Sequence, residues 1–302
     1  MTDGSHGFLL LNKSEGITSF NSLSTVKKIF NTKKVGHTGT LDKFASGLLL
    51  VLVGRGVKLA PLFENCTKEY IATVLFGEET DTLDPEGEVI ARGKIPQKEE
   101  VEAVLDNFRG DILQAPPAYS AVHIKGKRAY ELAREGKTPE MVKRPVTIYE
   151  LNILSFVEEK AEIRTCVSAG TYIRSLARDI AIASGSRAFL GALKRTRIGP
   201  FKLEEASNDE NLLSALRPLD MALFEGLSLP CILINKKAEE VFKHGGALDW
   251  ILSGAVFKQE IPLDFSINIK AGVFKDSFPN ELLGIIERQN GKWVYSHVFA
   301  DC

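Results

Sequence analysis

Between Gly47 and Val53 the chain reads GLLLVLV, without one polar side chain. A run this short, opening at a glycine, reads as a β-strand buried on both faces and is far too short to span a bilayer. A strand of that kind needs other layers of structure around it. The chain can supply them, because 302 residues with 44% hydrophobic content suffice for one large domain and a small one.

The segments around this strand alternate in type. Gly7 to Asn12 is an apolar run that reads as a strand, and Thr18 to Asn31 sets Phe20, Leu23, Val26 and Phe30 near helical spacing behind a Thr/Ser cap. Val35 to Asp42 has two glycines and no periodicity, and is expected to be a loop. Glu69 to Gly77 alternates like a half-buried strand. Lys98 to Phe108 carries Val101, Val104, Leu105 and Phe108 at the spacing of a surface helix. From Ala115 to Arg144, Pro116, Pro117, Gly126, Gly136 and Pro139 break the order around a short helical stretch at Arg128 to Arg134, as in an inserted, mobile excursion. Val146 to Phe156 and Ala161 to Ser168 read as paired strands. Gly170-Thr171 then opens a helix with a core face of Ile173, Leu176, Ala177 and Ile180, and Arg174 and Arg178 lie off that face.

After Phe201 comes a polar stretch from Ser207 to Asn211, an expected helix, and Pro218. Near Gly226 the chain changes character, and a domain boundary is placed there. From Leu227 the short alternating runs Ile267 to Ile269, Leu282 to Ile286 and Lys292 to Val298 suggest a small β-rich barrel. The expected architecture is therefore α/β (α+β): a large mixed domain over 1–226 and a β appendage over 227–302. Cys66, Cys166, Cys231 and Cys302 form no CxxC pair, which fits a reducing cytoplasm and argues against a zinc site. The start of the chain has neither the basic end nor the apolar run of a signal peptide, so no membrane role is expected.

A net charge of −1 argues against coating nucleic acid by bulk electrostatics, so any RNA contact must be local. Two stretches are locally basic: Lys125, Lys127, Arg128, Arg134, Lys137, Lys143 and Arg144, and Arg187, Lys194, Arg195, Arg197 and Lys202. By composition each is an ordinary solvated face. The segment Gly36-His37-Thr38-Gly39-Thr40-Leu41-Asp42 places a carboxylate between glycine-bent backbone and a buried strand, where it can be aimed into a cleft from a rigid support. By spacing alone Asp42 is a turn former or helix cap. The glycines lack the spacing of a phosphate-binding loop. Asp81-Thr82-Leu83-Asp84-Pro85-Glu86-Gly87 has Leu83 where a calcium loop needs an oxygen ligand, and reads as a turn.

Identity says more than spacing. GHTGTLDKFASGLL closely resembles the catalytic motif of the TruB family of tRNA pseudouridine synthases. The likeness extends in order through Gly7 to Ser19, Lys68-Glu69-Tyr70 with Gly77 to Gly87, Gln114 to Tyr130, Gly170 to Leu176 and Leu190 to Arg195, covering about residues 7 to 205. The resemblance implies a mixed, largely antiparallel catalytic sheet of pseudouridine synthase type, with an RNA-clamping insertion at about 115–145 and a divergent PUA-like tail. It also implies isomerisation of uridine-55 in the tRNA T loop, by base flipping and without a cofactor or metal. A monomer in the cytoplasm is expected, binding the T-arm stem-loop with no obligate protein partner.

The resemblance assigns roles residue by residue. Asp42 matches the nucleophile, which attacks C1′, attacks C6 or abstracts a ribose proton, and must be ionised to do so. Arg174 matches its guanidinium partner. Tyr70 matches the tyrosine that stacks on the flipped base and is suspected of taking the C5 proton. Tyr172 and Leu193 match residues lining the pocket, and His37 one that presses into the unfolded T loop. Asp84 matches a cleft position that orients Arg174 or a tyrosine, or shapes the hairpin. Lys125, Lys127 and Arg128 belong to the insertion that folds onto the phosphates of the stem-loop.

Overall fold

A computed structural model describes residues 5–120, 122–124, 127–134, 141–208, 211–259, 261, 268–278 and 280–299. The chain begins β1 (Gly7–Lys13), α1 (Ser19–Ile29), β2 (Val35–Thr38), β3 (Ser46–Val53), α2 (Ala60–Phe63), β4 (Lys68–Phe76), β5 (Glu78–Thr80), β6 (Val89–Arg92), α3 (Lys98–Leu105) and β7 (Gly110–Gln114). It continues through β8 (His123–Ile124), β9 (Lys127–Arg128), α4 (Ala129–Arg134), β10 (Arg144–Val157), β11 (Lys160–Val167), α5 (Ile173–Ala183), β12 (Ala188–Ile198), β13 (Phe201–Lys202) and α6 (Met221–Gly226). The last stretch holds β14 (Cys231–Ile234), α7 (Lys236–Lys243), α8 (Leu248–Ser253), β15 (Val256–Phe257), β16 (Ile269–Lys275), β17 (Leu282–Gln289) and β18 (Lys292–Val298).

A nine-stranded sheet in the order β1-β3-β12-β4-β11-β10-β7, with β2 beside β3 and β13 beside β12, forms the body. It is mixed and largely antiparallel: β3 with β12 is its parallel pair. Alternation along β1 and β3 sends Leu9, Leu11, Leu49, Val51 and Val53 to one face, where Leu23 and Val26 of α1 cover them. Phe8, Leu10, Leu48, Leu50 and Leu52 go to the other. Both faces of β3 are thus buried, which is why the run from Gly47 to Val53 carries no polar residue. Farther along the sheet, α3 and α5 pack on β4, β10, β11 and β12, and the core face of α5 expected from spacing is buried there.

Three local expectations are corrected. Val35–Thr38 is a strand, not a loop: it lacks periodicity, yet it gains backbone partners on β3 from Val35↔Val53 to Thr38↔Leu50. The helix expected beyond Asn211 is a succession of turns over residues 212–215. The tail has its β-rich sheet, ordered β15-β14-β16-β17-β18, but also α7 and α8. Because β14 and β16 are parallel neighbours, the chain must cross over between them, and the helices lie on that crossing. The side chain of Asn235 caps α7 by accepting from Ala238 N at 3.0 Å. Part of the expected strand at Ile267 lies outside the described residues.

The two sheets share an apolar cluster. Phe8, Leu10, Leu48, Leu50 and Phe63 meet Phe224, Leu233, Phe274, Ile285 and Phe299 there, so the tail covers a face of the main sheet. Phe274 is fully buried, with its ring 5.3 Å from that of Phe224. Phe274→Ala is expected to cost about 3–5 kcal/mol of stability. Urea unfolding should show this as an earlier transition for the main sheet as well as the tail, since both line the cavity.

Candidate active site

The loop between β2 and β3 is held by side chains from three directions. Gly39 and Gly47 turn it through positive φ of 72° and 102°. A Cβ on Gly47 would stand 2.3 Å from Arg195 O, so the parallel contact of β3 with β12 needs glycine. Arg195, 1% exposed, donates from Nε to Leu48 O at 2.8 Å and from Nη2 to Gly39 O at 2.9 Å. Lys13, equally buried, donates from Nζ to Ala45 O at 2.6 Å, Ile17 O at 2.7 Å and Ser14 O at 2.9 Å. Ser19 Oγ both donates to Leu41 O and accepts from Leu41 N, at 2.9 Å each. Asp42, next in sequence, is thereby fixed in place.

Opposite stands Arg174, on the first turn of α5. It lies off the apolar face, as its spacing requires, but it is only 5% exposed because it turns into the cleft. Its Nη1 donates to Thr82 O at 2.8 Å and Asp84 Oδ2 at 3.2 Å, and its Nη2 to Tyr119 O at 3.0 Å and Asp42 Oδ1 at 3.3 Å. Nε lies 3.0 Å from Asp42 Oδ2 without hydrogen-bond alignment, so that contact is an ion pair. Asp84 both orients Arg174 and shapes its own turn: Oδ1 accepts from Thr82 Oγ1 at 2.6 Å and from Glu86 N at 3.1 Å. Leu83 between them has a φ of 62°, unusual for leucine and costly by roughly 1 kcal/mol or more. The turn expected here is thus a strained one that presents two acceptors to a single guanidinium.

These groups face a cleft of about 960 Å³, enough for a nucleotide and part of its surroundings. Asp42, Tyr70, Tyr172, Leu193, His37 and Asp84 all line it. Tyr70 is buried on β4 and belongs to the main core as well as the cleft, and Leu193 projects from β12. Tyr172 caps α5, fastened by a reciprocal pair in which its N donates to Gln114 Oε1 at 2.8 Å and its O accepts from Gln114 Nε2 at 3.1 Å. Lys127 and Arg128 form strand β9, away from these contacts in sequence, and their side chains, like all of Lys125, lie outside the described residues. The root of the insertion is described: Tyr119 O bonds Arg174, and Ala115 O accepts from Ser175 Oγ at 2.8 Å.

Burial pushes the Asp42 carboxyl above the usual carboxylate range, with Asp84 adding to the rise, while Arg174 and Lys13 pull it down. Burial lowers the Lys13 ammonium and raises the Tyr172 phenol. His37 is lowered by burial and then by Arg195, so its imidazole is neutral at neutral pH; its buried Nδ1 has no hydrogen-bond partner among the described residues. A carboxylate kept ionised by a guanidinium in such a cleft can act as a nucleophile or a base, beside an aromatic hydroxyl. Lys13, Ser19 and Gln114 were not singled out by the sequence, since each reads as an ordinary surface residue, and Arg195, counted there in a solvated basic face, is instead buried under the loop. Their only signal was position within the matching motifs.

Residues 27–173 match the model of the TruB family pseudouridylate synthase N-terminal domain. A protein named tRNA pseudouridine synthase B from Borreliella burgdorferi (strain ZS7) is 43% identical over 86% of this chain and 89% of its own length. Its namesake from Borreliella afzelii (strain PKo) is 41% identical over 97% and 99%. Among solved structures, a chain of a Cbf5-Nop10-Gar1 complex superposes with a TM-score of 0.71, at 24% identity over 98% of this chain and 84% of that one, which is a likeness of fold.

The ion pairs set opposite expectations for two substitutions. Arg174→Ala leaves buried Asp84, and half-buried Asp42, without their cation, and should cost about 3 kcal/mol in urea unfolding, mostly through Asp84. Because the folded-state pKa of Asp42 is raised, the folded protein holds that proton better than the unfolded chain does. The charged carboxylate therefore costs stability at neutral pH, a cost that fades as pH falls through the raised value. Asp42→Asn should accordingly melt no lower than the parent at pH 7, in calorimetry.

Proposed function

This chain belongs to the TruB family of pseudouridylate synthases, and from that premise we infer that it isomerises uridine-55 in the T loop of tRNA to pseudouridine, without a cofactor. The observation that carries the reading is Asp42, ion-paired to buried Arg174 in a cleft that Tyr70 also lines. The reaction breaks the N1–C1′ bond, turns the detached uracil and joins C5 to C1′; a proton leaves C5 and one is gained at N1. Atoms and electrons balance within the nucleotide.

In this reading Asp42 starts the reaction on the flipped nucleotide, and Arg174 keeps it ionised despite its burial. Tyr70 stacks on the uracil and takes the C5 proton through its hydroxyl. Tyr172 and Leu193 bound the base, and Asp84 positions Arg174. His37, neutral and with a nitrogen unpartnered among the described residues, enters the opened T loop. Lys125, Lys127 and Arg128 of the insertion grip the phosphates of the stem. Residues 1–226 form the catalytic unit, and 227–302 a PUA-like appendage for RNA. The protein works as a monomer in the cytoplasm with no obligate protein partner, a setting that suits free thiols at Cys66, Cys166 and Cys231.

The test is direct. Purified protein with an unmodified tRNA transcript, or with a bare T-arm stem-loop, should give pseudouridine detectable by carbodiimide labelling. Asp42→Asn should lose all product while still binding the RNA; undiminished turnover would overturn the assignment. The single-turnover rate of the parent should fall as pH drops through the raised pKa of Asp42, that is, at a pH above the ordinary carboxylate range. A profile flat down to the usual aspartate value would remove Asp42 from the chemistry.

A further inference from the structure

Helix α1 brings an exposed aromatic ring to the mouth of the cleft. Phe20, one residue into the helix, lines the cleft and keeps 65% of its surface exposed. Isolated apolar residues on a surface are ordinary, but three observations set this one apart. The first is its rigidity relative to the chemistry: Ser19, its neighbour, is bonded in both directions to Leu41, which precedes Asp42. The backbone that carries the ring is thereby tied to the loop that carries the carboxylate.

The second is a cation. Lys27, two helical turns further on and so on the same face, holds its Nζ 4.7 Å from the centre of the Phe20 ring. The third is the surrounding charge. From Gly16 to Leu41 the sequence contains no aspartate or glutamate, while Lys27, Lys28, Lys33 and Lys34 all fall within it. A solvated helix face ordinarily mixes both signs. The acids that line the cleft with Phe20, among them Asp42, Glu64 and Glu86, come from other segments; an exposed aromatic ring beside a cation is the pairing by which proteins hold unpaired nucleic acid, with the ring stacking a base and the cation facing its phosphate.

We propose that Phe20, backed by Lys27, is a stacking platform for a second base of the substrate RNA: an unpaired nucleotide next to the target uridine is splayed onto the ring as the uridine enters the cleft. The proposal rests on the reading of the cleft as a uridine-isomerising site. Every base offers a π-face, so the platform selects for an unpaired neighbour and not for a sequence. Phe20 is then a positioning residue, acting on how the RNA is held and not on the bonds that change.

The experiment uses the full-length protein with Phe20→Ala, Phe20→Leu and Phe20→Tyr. Its RNAs are T-arm stem-loops, either intact or abasic at one nucleotide flanking the target. Dissociation constants and steady-state kinetics are measured for each combination. Phe20→Ala should weaken binding of the intact RNA roughly tenfold, with the change in KM and not in kcat. Phe20→Tyr should restore binding and Phe20→Leu should not. An abasic nucleotide at the stacked position should weaken the parent to the same degree but leave Phe20→Ala nearly unaffected. Equal affinities for parent and Phe20→Ala, full recovery with leucine, or additive losses at every abasic position would each overturn the platform. A parent that binds the stem-loop but forms no pseudouridine would refute the function proposed above, and the affinities would still decide the platform.

Discussion

The second edge of β3 is divided between two strands, and the site exists because of that division. Strand β12 pairs with β3 at Ser46 and Gly47, and β2 pairs with it from Leu50 to Val53. Between the two partners Leu48 O would be left unbonded in a buried place, a loss worth about 1–3 kcal/mol. Arg195 closes the gap, taking Leu48 O with one nitrogen and Gly39 O with another. The loop carrying Asp42 is the connection from one partner to the strand they share. Its ends are therefore fixed by the sheet itself, and Lys13 and Ser19 fix its middle.

A carboxylate so placed has lost part of its water, and the electrostatics of the cleft follow from that loss. Burial raises Asp42, the neighbouring Asp84 raises it further, and Arg174 and Lys13 oppose both. Arg174 can serve two acids because each of its terminal nitrogens faces one carboxylate and one fixed carbonyl: Nη1 meets Asp84 and Thr82 O, and Nη2 meets Asp42 and Tyr119 O. Part of that fixity is obtained through strain at Leu83. Unfavourable burial of a charge next to a strained turn is a local departure from the best packing, and such departures gather where a protein acts on something else.

The tail is tied to this arrangement through the core. Alternate residues of β1 and β3 face a cluster completed by Phe224, Leu233, Phe274, Ile285 and Phe299. The strand that anchors the Asp42 loop is thus kept dry on this side by the second sheet together with Phe63, Ile198 and Phe201 of the body. The relative from Borreliella afzelii (strain PKo) matches over 97% of the chain, tail included, which accords with a tail that packs as part of the body.

Much of the fold was legible in the sequence, because its signals are local. Strict alternation or continuous apolar character marked β1, β3, β4, β10 and β11, and helical spacing marked α1, α3 and α5. Motif identity named Asp42, Tyr70, Arg174, Tyr172 and Leu193, and the tertiary structure brings them to one cleft. Other features had no local signal. Val35–Thr38 is a strand only because β3 offers it an edge, and α7 and α8 lie where a parallel pair requires a crossing. Lys13, Arg174 and Arg195 look like surface cations until distant carbonyls and carboxylates close around them. The sequence determined which segments are strands and helices and which residue types are at hand for chemistry. Which charges are buried, and against what, was decided by the tertiary structure, since desolvation and ion pairing depend on segments more than 100 residues apart, as Arg174 and Asp42 are.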